Sequence, residues 1–295
     1  MHSGIPNRFQ RLWLGALRWY ARNAPCHYRK GWFVSRLGKL AFVHRLKEPL
    51  ETSLWFGARL LCRPADGWHM GSYYFGSHEW KTEKLLCGMI RSGECFVDVG
   101  ANIGIYTLLA ASRVGPSGRV LALEPIPATF AQLKENIALN GYADVTALPI
   151  AAWHEQTTLS MECPVDPSRH DGTFRVTVLA VPCTPLTVEA RPLDAILEKV
   201  GTVHWIKMDI EGAELFALRG AEKTIRRCKP RIVLELDDKH TRRFPYHPDE
   251  IFNLLGDWGY RAARIGETYE HGCPVAEPEP VERYECADNY LFTPP

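Results

Sequence analysis

The chain lacks any run of eighteen apolar residues, any C-x-x-C pair among its nine cysteines and any internal repeat. The first absence excludes a membrane-spanning helix, and the third a solenoid or propeller. The second argues against a zinc ribbon or a disulfide framework, and the scattered cysteines 26, 62, 87, 95, 163, 183, 228, 273 and 286 read as free thiols of a reducing compartment. The N-terminus also lacks the apolar run and small-residue cleavage pattern of a secretory signal, so the sequence predicts a cytoplasmic protein. Acidic residues are missing from positions 1–47, which carry ten Lys/Arg, while the remainder holds 25 basic against 34 acidic residues. The net charge of +1 thus joins a basic N-terminal segment to an acidic body. An acidic body without an Asn/Asp-Pro-Pro-Tyr type of motif predicts no nucleic-acid partner.

What is present suffices for one elaborated domain: 295 residues, 46% of them apolar, can bury a large core. Between Asn7, a cap residue, and Pro25, a stop, the pattern is helical. Phe9, Leu12, Trp13, Ala16 and Tyr20 share one face, with Arg8, Arg11, Arg18 and Arg22 almost opposite. Apolar helix faces usually pack on protein. The other reading is an anionic membrane surface, which gives residues 8–22 a peripheral contact with the inner face of the membrane. Arg-rich organelle targeting is a third reading, weakened by the scarcity of serine. Tryptophans 13, 19, 32, 55 and 68 would stack on sugar rings or pack in the core, the latter being the default for this residue.

Short strands are predicted over 54–61 and 68–75, followed by a helix over 78–91. Strands over 95–99, 119–123, 145–150, 203–208 and 231–236 then alternate with helices over 103–113, 127–140 and 212–227. Such alternation means a parallel sheet wrapped by helices on both faces. Residues 158–163 and 174–181 break the rhythm as antiparallel edge strands, and a helix starts at 191. A helix over 250–258, a strand over 261–265 and a last strand over 289–292 close the chain. Between those strands a Pro/Glu-rich loop over 266–286 is a candidate substrate lid.

Residues 95–111 combine a short apolar strand, an acid, a glycine-bearing turn and a helical run. Gly100 and Gly104 let the backbone turn tightly and expose N–H groups at the start of the helix, with Asp98 at the strand end. A dinucleotide site wants G-x-G-x-x-G so that the backbone can approach a pyrophosphate. Here Asn102 stands in the place of the middle glycine. A side chain there crowds a pyrophosphate, whereas S-adenosylmethionine has no phosphate and offers an ammonium that suits Asp98. The next strand ends in Glu124, 20 residues after Gly104, where a carboxylate accepts hydrogen bonds from both ribose hydroxyls. An acid at that place suits a nicotinamide cofactor equally.

Four blocks carry a resemblance to a known family, the FkbM-type S-adenosylmethionine-dependent methyltransferases. They are Tyr74-Phe-Gly-Ser-His-Glu79, Val97-Asp-Val-Gly-Ala-Asn-Ile-Gly104, Leu123-Glu-Pro125 with Asn136 and Asn140 downstream, and Ile206-Lys-Met-Asp-Ile-Glu-Gly-Ala-Glu214. With Pro230-Arg-Ile-Val-Leu-Glu235 they span residues 73–236. The resemblance implies an α/β class I Rossmann-like methyltransferase fold, with a mostly parallel, doubly wound, seven-stranded sheet and an antiparallel last strand. It further implies O-methylation of a sugar, glycolipid or secondary metabolite, so that the expected partner is a small-molecule, glycan or glycolipid acceptor. The chain then divides into a basic amphipathic extension (1–49), a strand/helix segment that leads into the core and caps the substrate side (50–94), and a methyltransferase domain (95–295). Asp98, Gly100, Asn102, Gly104, Glu124, Pro125 and Asp209 are the expected cofactor residues, and the resemblance adds Ala151 at the adenine.

Methyl transfer from a sulfonium is an in-line displacement, so a positioned carboxylate or histidine must take the alcohol's proton. Asp209, Glu235 and His240 at the far end of the pocket are candidates, with His78 and Glu79 from the helix before the core. Asp209 with Asp237 and Asp238 could instead gather Mg²⁺, which would acidify a bound hydroxyl. A Leu-Asp-Asp-Lys segment after a strand is commonly a solvated turn, and no metal ligand is assigned. Lys207, Glu211 and Glu214 are read as structural support. Two other readings stay open: a nicotinamide-dependent oxidoreductase on the same fold, and a catalytically silent, membrane-associated binding module that retains it.

Overall fold

The computed structural model describes residues 6–23, 36, 48–64, 69–162, 175–176, 186–270 and 273–295. Cys26, Cys163, Cys183, Trp32, Trp68 and most of the predicted strand 174–181 lie outside them. Among the described residues Cys62, Cys87, Cys95, Cys228 and Cys286 are free thiols.

Helix α1 (Arg8–Asn23) opens with a reciprocal cap. Asn7 Oδ1 accepts from the Gln10 amide and Gln10 Oε1 from the Asn7 amide, each at 2.9 Å. Its packed side is only partly the predicted one: Leu14, Leu17 and Ala21 are buried and Trp13 of the predicted face is half-buried against the same core, whereas Phe9, Leu12 and Ala16 are exposed. The cause lies in the arginines assigned to solvent. Arg22 donates to the carbonyls of Ser53, Tyr73 and Tyr74 and to Thr52 Oγ1, and Arg18 donates to the Glu51 carbonyl. Their stems cover apolar surface while their heads satisfy backbone acceptors, which rolls the guanidinium side of the helix toward the protein.

Strands β1 (Leu50–Ser53) and β2 (Arg59–Cys62) form a hairpin where one strand was predicted. The predicted strand over 68–75 is helix α2 (His69–Phe75); its buried Ser72 and Tyr73 follow His69 at spacings of three and four, and Tyr74 is buried beside them. Aromatic residues favour strands locally, but here they pack against α1, and tertiary contact overrides propensity. Helix α3 (Trp80–Met89) leads into the main sheet.

The main sheet is built from β3 (Cys95–Val99), α4 (Ile105–Val114), β4 (Arg119–Leu123), α5 (Pro127–Asn140) and β5 (Val145–Leu148). A small sheet of β6 (Ala151–Ala152), β7 (Thr157–Glu162), β8 (Arg175–Val176) and β9 (Leu186–Arg191) follows, then α6 (Leu193–Ile196). The chain returns through β10 (Trp205–Met208), α7 (Glu214–Arg219), α8 (Glu222–Cys228), β11 (Arg231–Leu236), α9 (Asp238–Thr241) and α10 (Asp249–Asp257). Strands β12 (Arg261–Glu270), β13 (Cys273–Val281) and β14 (Asp288–Thr293) complete it. Sheet order is β13-β12-β14-β11-β10-β3-β4-β5. The five strands from β11 to β5 pair in parallel, and β14 runs antiparallel between β11 and β12. Strand order reverses at β3, with β4 on one side and β10 on the other. That reversal is the switch point at which open α/β sheets bind their ligands.

Two further expectations change. The Pro/Glu-rich segment is no lid loop, for most of it is strand: the second half of β12 and then β13, an eighth strand paired along β12. As the sheet's edge strand, β13 can carry Pro278 and Pro280 at no cost to an inner ladder. The single helix predicted over 212–227 is two, α7 and α8, broken at Gly220. A Cβ on Gly220 would lie 2.0 Å from the Trp153 carbonyl oxygen, so a glycine is required by close approach although its φ of −76° suits any residue. Gly220→Ala is therefore expected to lower stability by about 3 kcal/mol, read as a lower urea midpoint with an unchanged slope.

Candidate active site

The cleft at the switch point encloses about 1160 Å³, its open mouth included. Its first half is the turn after β3. Gly100 sits at φ +79°, and a Cβ there would lie 2.0 Å from the Asp209 carbonyl oxygen. The β3 and β10 exits thus touch, backbone to backbone, because residue 100 has no side chain. Asn102 adopts the left-handed region at φ +50°, where Asn is among the residues that tolerate it. Its Oδ1 accepts from the Ile103 amide at 2.8 Å. Gly104, at φ +99°, admits the Leu133 side chain, which would lie 2.7 Å from any Cβ.

Glu124 is buried at the exit of β4. One of its oxygens accepts from the Asn102 amide at 3.0 Å and the other from the Ile126 amide at 2.8 Å. Burial pushes its carboxyl up to about 7 against the pull of these two bonds. Each oxygen retains a lone pair, and the residue lines the cleft together with Pro125 and Ala151. Ile126, Ile150, Leu159 and Met161 give that end an apolar wall.

Asp98 is placed otherwise than its sequence position suggested. It is 1% exposed and does not belong to the cleft wall. Its Oδ2 accepts from Thr107 Oγ1 at 2.6 Å, which ties the end of β3 to α4, and its Oδ1 is buried without a hydrogen-bond partner. Burial raises it to about 6, with the neighbouring Lys207 opposing.

The far half is a polar stripe in which Asp209 and Glu235 are half-buried and Lys207 is fully buried. Asp209 and Glu235, from adjacent strands, line the cleft and share a hydrogen bond. Glu235 is held well above the carboxylate range, first by the charge of Asp209 and then by burial. Burial pushes Asp209 upward too, but Lys207 and the hydrogen bonds from Glu235 and Lys207 outweigh it and hold Asp209 below its ordinary value. The two carboxyls are thus pushed apart, Asp209 toward the ionised form and Glu235 toward the protonated one.

Lys207 Nζ lies 3.0 Å from Asp209 Oδ2 and 4.5 Å from the centre of the Tyr106 ring. Burial favours its neutral form, yet the charges of Asp209, Glu79, Glu235 and Asp98 win and keep it protonated. Tyr106 donates to Glu79 Oε2, and Asn289 donates to Glu79 Oε1 at 3.1 Å. Glu79 therefore acts through Tyr106, which lines the cleft, and does not itself line it. Glu83 fixes the turn that carries His78 and Glu79 by accepting both their amides, at 2.7 and 3.0 Å.

His240 also stands behind the wall, its Nδ1 3.0 Å from Oε2 of Glu211, which does line the cleft. Glu214, read from the sequence as support, caps the loop after Asp209 by accepting from the Ile210 and Gly212 amides at 3.0 and 3.3 Å. Asp237 caps α9 through the Lys239 amide, and Asp238 pairs with Arg242, so neither turns toward Asp209. Among the described residues no group of three or more His, Cys, Asp or Glu is placed to hold a metal ion.

Tyr106 and Asn289 escaped assignment to the site because each looks ordinary in its own segment, and Lys207, quoted in the block that carries the resemblance, reads from the sequence only as structural support. Asn136 and Asn140, quoted for the resemblance, prove to be stitches. Asn140 exchanges two bonds with the Arg59 backbone, and Asn136 accepts from the Leu61 amide while donating to the Ile103 carbonyl. Both tie β2 to α5, and Asn136 also ties it to the turn after β3.

A parallel sheet ordered in this way, with a glycine turn over one strand and a buried acid at the exit of the next, defines a class I methyltransferase fold. The sequence profile of the methyltransferase FkbM domain matches residues 98–262, and the chain belongs to that family. It is 28% identical over 160 residues to Methyltransferase 1 of Beauveria bassiana (strain ARSEF 2860), covering 48% of this chain and 64% of that protein. It is 24% identical over 204 residues to Methyltransferase sdnD of Sordaria araneosa, covering 59% and 76%. The chain thus spans less than two thirds of the first of these relatives. A crystal structure of methyltransferase FkbM from Methylobacillus flagellatus KT superposes with a TM-score of 0.46 at 20% identity, over 72% of this chain and 47% of that one.

Proposed function

We propose that the protein transfers a methyl group from S-adenosylmethionine to a hydroxyl oxygen of a sugar, glycolipid or secondary metabolite. The observation that carries this reading is the hydrogen-bonded carboxyl pair Asp209 and Glu235 in a cleft whose other end offers Glu124 and an apolar wall. No lysine or arginine lines that cleft among the described residues, and Asn102 fills the place of the middle glycine, so a pyrophosphate-bearing cofactor finds neither charge nor room. S-adenosylmethionine suits the donors and acceptors present. Glu124 would hold the ribose hydroxyls, and Ile126, Ile150 and Ala151 the adenine. When bound, it supplies an electrophilic methyl group on a sulfonium.

The chain's own residues then have one task, to receive the proton that an alcohol loses. Asp209 is ionised and lines the cleft, so it is the base. Glu235, protonated, hydrogen-bonds it from one side and Lys207 from the other, which leaves its remaining lone pairs for the acceptor hydroxyl. Methyl-labelled S-adenosylmethionine incubated with neutral sugars, glycolipids and polyketide-type alcohols tests the reading. Alkali-stable label in an acceptor supports it, and hydride transfer from NADH without methyl transfer contradicts it.

Glu124 sets a pH dependence on cofactor binding. In the free protein its carboxyl titrates at about 7, whereas hydroxyl donors favour the carboxylate and lower that value in the complex. Binding should therefore release a proton below about pH 7, with affinity falling toward tenfold per unit as the pH drops, and this release should vanish above it. Calorimetry in buffers of differing ionisation enthalpy reads the proton, and its difference from Glu124→Gln isolates this residue.

A further inference from the structure

Helix α1 is pinned to the domain by one side and leaves an apolar stripe on the other. Phe9, Leu12 and Trp19 are 76%, 67% and 66% exposed, and they are the large hydrophobic side chains most open to solvent among the described residues. With exposed Ala16 they recur at spacings of four and three, so they form one line along the helix. The opposite line, Leu14, Leu17 and Ala21, is buried in a core that also contains Ile103 and Ile105 of the cleft wall. Arg18 and Arg22 are spent on the carbonyls of distant segments, whereas Arg8, beside the stripe, and Arg11, whose Nε donates to the Pro6 carbonyl at 3.1 Å, are exposed. No acid occurs in residues 1–47, against ten Lys/Arg.

We infer that this stripe is a docking face for an anionic lipid surface. Aromatic and aliphatic side chains ordered on a fixed helix, flanked by arginines and free of acids, match the requirements of an interfacial helix: apolar groups for the acyl boundary and cations for the headgroups. Charge favours lipid over a second copy of the chain, because two such segments would bring basic against basic. Docking would hold the cleft next to the bilayer, through the core that α1 shares with Ile103 and Ile105. The inference rests on α1 alone and stands apart from the choice of methyl acceptor.

Vesicle flotation with the full chain tests it, using phosphatidylcholine vesicles with and without phosphatidylserine. The wild type should float with the anionic vesicles and be released by high salt. Phe9→Ser/Leu12→Ser/Trp19→Ser should abolish flotation, and Arg8→Gln/Arg11→Gln should weaken it roughly 30-fold. Because all five side chains are exposed, the urea midpoint should not move, which separates lost docking from lost folding. Three results would overturn the inference: no preference of the wild type for phosphatidylserine, flotation of the triple variant like the wild type, or a lipid-free dimer that the triple substitution dissociates.

Discussion

Asp209→Asn should lower kcat about a thousandfold while changing cofactor affinity by less than about tenfold, since a positioned base contributes about 10²–10⁴. The substitution keeps the shape of the side chain and removes the site that takes the proton. Glu235→Gln is the informative partner. Its carboxyl is protonated and donates to Asp209, so an amide that donates in the same direction preserves the arrangement. That variant should retain activity within about tenfold of wild type, an expectation specific to this proton assignment. Single-turnover rates with saturating S-adenosylmethionine separate chemistry from binding. An inactive Glu235→Gln beside an active Asp209→Asn would place the proton the other way round.

Lys207→Met should cost about 3–5 kcal/mol of stability, because it removes the cation that faces Asp209, Glu79, Glu235 and Asp98 and leaves buried carboxylates unpaired. The sign of its pH dependence follows. Without Lys207 the Asp209 carboxyl rises above its unfolded value, so the variant binds protons that the unfolded chain does not. Its deficit should be greatest at alkaline pH and shrink as the pH falls and the carboxylates take up protons. The same rise moves the acid limb of the activity profile to higher pH. Urea titrations at several pH values measure the first effect and a kcat profile the second. A deficit independent of pH would mean that Lys207 matters for packing alone.

The parts of this molecule legible in the sequence are those whose physics is local. Strands β3, β4, β10 and β11 are apolar runs buried on both faces, and the turn at Gly100 to Gly104 announces itself by glycine and Asn102. Glu124, Asp209 and Glu235 stand at strand exits, and the topology brings them to one cleft. What the sequence concealed depends on partners far along the chain. Helix α2 has the composition of a strand and becomes a helix against α1. The packed face of α1 could not be read while Arg18 and Arg22 passed for solvent residues, since their acceptors are carbonyls about 30 to 50 positions away. Strand β13 hid behind its prolines, which only an edge position tolerates. Glu79, Tyr106, Lys207 and Asn289 come from four separate segments, and although Glu79 and Lys207 stood in conspicuous blocks, nothing local shows that the four meet. Asp98, the acid that the motif made most conspicuous, is buried behind the cleft wall with one oxygen bonded to Thr107.

Calorimetric titration of S-adenosylmethionine into the full chain and into Glu124→Ala tests the central claim, that this cleft is a methyl donor's site. Saturable one-to-one binding to the wild type, lost or at least about a hundredfold weaker in the variant, is the predicted result, since hydrogen bonds to a charged group contribute about 1.5–3 kcal/mol each. Absence of binding to the wild type, or equal affinity in the two proteins, would contradict it.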